Sequence, residues 1–132
     1  MAGQSVTITD CVFENNIALD GNLLVDELAY LEVTSARFKL NQSYLSSNAL
    51  AAYTVGQVLL DNNEFFENFG WYHTAGGAVT VGLSEVVDVT NNKFDSNMAG
   101  RSGNALTLVL NAYVTVESND FLNNGPSLAY SE

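Results

Sequence analysis

The chain is poor in basic residues, cysteine, histidine and long apolar runs, and each shortage removes a class of function. Four Lys and Arg stand against fifteen Asp and Glu, a formal charge of −11 over 132 residues. Nucleic-acid binding needs cations that displace counterions from phosphates, so no nucleic-acid partner is expected, and the same shortage disfavours an anionic membrane surface. A single cysteine, Cys11, leaves no intrachain disulfide. Its place in the repeat described below predicts a small core-facing residue rather than a reactive thiol. No apolar run approaches the roughly 18 residues of a membrane span, and no membrane insertion is expected. Strand-like sequence begins by Val6 with no basic segment before it, so an extracellular protein would have to be a mature piece or part of a longer chain.

The hydrophobic fraction, 47%, is enough for a folded core, and the length predicts a single domain over 1–132. Only 14% of residues are charged, while Asn, Ser, Thr and Gly are abundant. That balance suits a β-rich solenoid, in which polar residues stack at corners.

Internal repetition gives the architecture. Phenylalanines recur at Phe13, Phe38, Phe65, Phe94 and Phe121, at spacings of 25, 27, 29 and 27. Three residues after each comes an asparagine: Asn16, Asn41, Asn68, Asn97 and Asn124. Seven and five residues before each Phe lie aliphatic pairs, from Val6 and Ile8 to Val114 and Val116, inside alternating segments such as VTIT and VTVE. A period of two marks a half-buried strand. A second element follows each of the first four asparagines: GNLLV at Gly21–Val25, SNALA at Ser47–Ala51, GGAVT at Gly76–Thr80 and GNALT at Gly103–Thr107. The prediction is all-β: a right-handed parallel β-helix of about five coils, 25–29 residues each, the fifth incomplete. Five coils would stack to roughly 24 Å.

Equivalent residues then form columns. Stacked Phe rings and aliphatic pairs make the core, and the Asn column forms an amide ladder that satisfies buried backbone. Asn41 heads an NQS sequon, but its place in that column predicts burial and no glycan. Asp10, Ser35, Asn62, Asn91 and Ser118 line one corner column. Arg37, Glu64, Lys93 and Asp120 form an exposed column of alternating sign, so these bases read as structural rather than catalytic.

The FxxN and GG[AILV] pair resembles the repeats of polymorphic outer-membrane proteins, autotransporter adhesins with β-helical passengers. The similarity is carried best by FDSNMAGRSGNAL at Phe94–Leu106 and FENFGWYHTAGGAV at Phe66–Val79. Only the third coil has GG, the second has SN, and nothing resembles a membrane barrel. The resemblance implies an adhesive or surface-fibre role, outside the cell or at its surface.

β-Helices also carry pectate lyases and polygalacturonases, so catalysis must be weighed on residues. Outward strand positions supply Glu32, Asp61, Asp88 and Glu117, with no two carboxylates adjacent in one column and no Arg or Lys beside them. The lone histidine, His73, sits in HTAGG, not in the GHG setting of polygalacturonases. No catalytic residue, metal site or cofactor is therefore predicted. The interrupted Thr pattern of the same face reads as a solvated sheet rather than an ice-binding plane. The third coil carries about two extra residues, which hold Trp71, Tyr72 and His73; these are the ligand-contact candidates, suited to stacking on a sugar. The leading expectation is a non-catalytic structural or adhesive solenoid, associating through open coil ends or with flanking coils of a longer chain. The alternatives are a carbohydrate-binding module and, third, a fragment of a polysaccharide lyase or hydrolase.

Overall fold

The computed structural model describes residues 3–45, 49–71, 77–100 and 103–126. Among the described residues every element is a strand, and every pairing is parallel with the equivalent strand of the next coil. Sheet one holds Ser5–Thr9, Tyr30–Thr34, Gln57–Asp61, Val86–Thr90 and Tyr113–Glu117. Sheet two holds Val12–Glu14, Arg37–Lys39, Glu64–Phe66, Lys93–Asp95 and Asp120–Leu122. Sheet three pairs the short strands Ile17–Ala18, Gln42–Ser43, Phe69–Gly70, Met98–Ala99 and Gly125–Pro126. Sheet four holds Leu23–Asp26, Leu50–Tyr53, Val79–Gly82 and Leu106–Val109. The molecule is a parallel β-solenoid of about four turns, and among the described residues a fifth coil contributes strands to the first three sheets only.

Register follows the alternation in the sequence. Leu31, Val58, Val87 and Val114 align with Val6, and Val33, Leu60, Val89 and Val116 with Ile8. The five Phe rings stack in parallel with centroids 4.7–4.9 Å apart, one ring per coil. That distance is the strand spacing itself, so one repeat of the chain advances the solenoid by one hydrogen-bonded rung. Phe38, Phe65 and Phe94 are fully buried, and each ring contributes roughly 1.5–3 kcal/mol of transfer free energy.

In sheet four the strands are offset from the motif alignment. Leu23 pairs with Leu50, not Ala49, so GNLLV sits one residue out of step with SNALA. Side-chain alternation decides the register: Leu23, Leu50, Val79 and Leu106 then all join the core, whereas a one-residue slip would turn them outward.

The corners use a device that the motifs do not display. Three columns of non-glycine residues adopt left-handed backbone, all with φ between 52° and 57°: Asp10, Ser35, Asn62, Asn91, Ser118; then Asn15, Leu40, Glu67, Ser96, Asn123; then Glu27, Thr54, Leu83, Leu110. Each bends the chain from one sheet to the next, and in all but the last residue of each column the N–H still donates to the coil above, so the ladder is not broken. Ser35 to Asp61, Leu40 to Phe66 and Thr54 to Gly82 are examples, at 3.0–3.2 Å. Asn and Asp tolerate this conformation, but Leu and β-branched Thr bear a cost of about 1–2 kcal/mol each.

Candidate functional site

The residue after each left-handed corner points inward, and there the most ordered polar chemistry of the chain is found. After the second corner it is always asparagine. Asn68 shows the full pattern: its Nδ2 donates to the Phe38 carbonyl (2.9 Å) and to Asn97 Oδ1 (2.9 Å). Its Oδ1 accepts from both the backbone N–H (3.1 Å) and the Nδ2 (3.0 Å) of Asn41. Two donors and two acceptors are thus all used on a side chain with no solvent exposure. The same bonds link Asn16 to Asn41 and Asn97 to Asn124. The NQS asparagine, Asn41, is buried in this ladder.

A second ladder follows the first corner, where Asn63, Asn92 and Asn119 repeat the geometry and Asn63 Oδ1 accepts from the Ala36 N–H. A third is partial: the Ser84 hydroxyl accepts from the Val55 N–H, and Asn111 Oδ1 from the Ser84 N–H. Only the first of these ladders carries a repeated sequence motif. The other two vary in residue type, which hides them from a motif search.

Cys11 heads the second ladder's column but is exposed, contrary to the expectation of a core-facing residue. Its column is inward, as the buried Ala36, Asn63 and Asn92 show. Cys11 lies in the first coil, which among the described residues has a neighbouring coil on one side, and its thiol donates to the Thr9 carbonyl at 3.3 Å.

The carboxylates of sheet one do not converge. Glu32 and Asp88 share a column with Leu59 between them, and Asp61 and Glu117 share the next with Thr90 between them. Two rungs separate each pair, roughly 10 Å, at the far limit for paired acids that hold a water, and a side chain stands in the gap. Asp61 is further committed to the Thr90 hydroxyl and the Asn91 amide, both at 2.8 Å. Among the described residues, no three of His, Cys, Asp and Glu gather as a metal cluster. No helix there is long and apolar enough to cross a membrane.

Among the described residues, two ionisable groups are perturbed. Loss of water around the ring, and then the charge of the Glu32 carboxylate, to which the phenol donates a hydrogen bond (3.3 Å), hold the Tyr30 phenol above its ordinary value. The Ser96 hydroxyl chiefly, with Asn123 and Lys93, holds Asp95 below the usual carboxylate range, against a weaker opposing effect of burial. On the outer face of sheet two, Arg37 bonds Glu64 at 2.6 Å, while Lys39 lies 3.7 Å from Glu14 and Lys93 3.7 Å from Asp95. Lys93 thus pairs along its own strand rather than with its column neighbours.

Of the ligand-contact candidates, Tyr72 and His73 lie outside the described residues. Trp71 is 44% exposed and stacks on Tyr44, 45% exposed, with centroids 5.6 Å apart and planes within 8°. Phe69 meets Trp71 edge-on at 5.3 Å. The sequence reading missed Tyr44, which only stacking of the second coil on the third brings beside Trp71. Beside this aromatic edge runs an open groove lined by Leu40, Gln42, Glu67, Phe69 and Met98.

The fold and its ladders define the chain as a repeat protein of the parallel β-solenoid class. In comparisons with known proteins, no family model, no curated protein and no solved structure matches it.

Proposed function

We propose that the chain is a non-catalytic structural or adhesive β-solenoid of a cell surface or an extracellular fibre. One observation carries this reading: the buried polar side chains of the corners serve the backbone of the adjoining coil, while the outward carboxylates stand apart. The chain spends its ordered polar groups on rigidity along one axis, which is what a stalk or surface repeat requires. The FxxN resemblance to autotransporter passengers supports the same role and adds the expectation of adhesion.

A carbohydrate-binding module is the second reading, favoured by the exposed Tyr44–Trp71 pair beside the groove. The lone tryptophan makes the distinction direct. Its emission, titrated with a polysaccharide panel, should stay constant if the chain is purely structural, and a saturable shift with one glycan would transfer the assignment to the second reading. The third reading, a lyase or hydrolase fragment, predicts unsaturated products or new reducing ends from the same panel. Their appearance would overturn the non-catalytic assignment.

A further inference from the structure

Column by column, the two end coils expose what the inner coils bury. Phe94, Val87 and Val89 have no exposure, whereas Phe121, Val114 and Val116, one rung further along, are 48%, 46% and 42% exposed. At the opposite end Val6, Ile8 and Phe13 are part-buried beneath fully buried Leu31, Val33 and Phe38. These side chains point along inward columns, which in the inner coils are covered by the next coil.

The ladder gives the ends opposite polarity. Each Asn donates its N–H and one Nδ2 hydrogen to the Oδ1 of the coil above. Among the described residues, Asn16 Oδ1 at the first coil accepts nothing. Asn124 in the fifth coil donates only through Nδ2, to the Phe94 carbonyl. The fifth coil is therefore left with unused donors and the first with an unused acceptor. The end strands match too: five, three and two residues in sheets one, two and three at both ends.

From this geometry we infer that the first coil of one copy seats on the fifth coil of a second copy, head to tail, through sheets one to three. This inference rests on the structural reading and adds its partner and its polarity. In the joint, Asn124 donates to Asn16 Oδ1 of the neighbour, Phe121 stacks on Phe13, and the parallel ladder continues. Two first coils, or two fifth coils, would face acceptor with acceptor or donor with donor. A heterologous contact of this kind leaves a free end at every step and so elongates.

Two full-length variants test the polarity. Val116→Lys places a charge in the face of the fifth coil, and Ile8→Lys places one in the face of the first, within the same inward column. Circular dichroism first establishes that each is folded; if either is not, Val114→Lys or Val6→Lys replaces it. In sedimentation velocity, the native chain should grow in mass with concentration and each variant alone should stay monomeric. Their equimolar mixture should give one species of twice the monomer mass, formed by the two intact ends. A variant that dimerises alone overturns the polarity but leaves the structural reading standing. A native chain monomeric to millimolar concentration overturns the self-association itself, and the occupant of the ends is then a flanking coil of a longer chain. The structural reading falls separately, to a glycan or product signal in the tests above.

Discussion

Replacing Asn68 by alanine tests the claim that the asparagine ladder, and not hydrophobic stacking alone, holds the coils in register. Asn68 is fully buried at mid-ladder. Its removal leaves the Asn41 N–H, one hydrogen of the Asn41 amide and the Phe38 carbonyl without the partners they now have. Asn97 Oδ1 keeps one donor, the backbone N–H of residue 68. Each buried group left unpaired costs about 1–3 kcal/mol, so three together cost about 3–9 kcal/mol, a large part of the 5–15 kcal/mol typical of a domain. At the ladder's end, Asn124→Ala removes bonds from Asn97 and to Phe94, but the site is only part-buried and water substitutes there. That change should cost about 1 kcal/mol. Urea denaturation of the native chain and both variants, with the slope fitted as well as the midpoint, measures the difference. Equal losses below about 1 kcal/mol at both positions would refute the reasoning, because the ladder would then be ornamental and the Phe and aliphatic columns sufficient. A lowered slope for Asn68→Ala alone would point instead to the solenoid separating into two blocks of coils at the break.

Two further outcomes follow from the corners. Thr54 is exposed and left-handed, with its N–H bonded to the Gly82 carbonyl. Thr54→Asn keeps that bond and relieves the β-branched side chain, and should raise stability by about 1 kcal/mol in the same urea assay. Asp95, held low mainly by the Ser96 hydroxyl, contributes stability that is present above its unfolded pKa and lost as pH falls through its lower folded value. Asp95→Asn should therefore narrow its stability gap to the native chain as pH is lowered below about 4, read from thermal melts across a pH series.

The sequence alone carried the fold class, since a solenoid repeats its environment once per coil and selection for that environment repeats its residues. Phe13 to Phe121 and Asn16 to Asn124 recur because each occupies the same site one rung on. The alternating strands of sheet one were legible for the same reason, and the register of the charged columns came with them. Where one backbone position accepts several side chains, repetition fades and the reading stops. The left-handed corners hold Asp, Ser, Asn, Leu, Glu and Thr alike, because the hydrogen bond there belongs to the backbone. The second and third inward ladders admit Cys, Ala, Val or Ser beside Asn.

What the tertiary structure alone decided is whatever depends on a residue's neighbours one coil away. Cys11 occupies an inward column yet is exposed, because burial in a solenoid is conferred by the next coil and the first coil has one on a single side. Tyr44 and Trp71, distant along the chain, become one aromatic pair only when their coils stack. Composition and spacing determined the kind of column each residue joins. Only the stacked structure determined which neighbours each residue meets in its column, and so which side chains are buried.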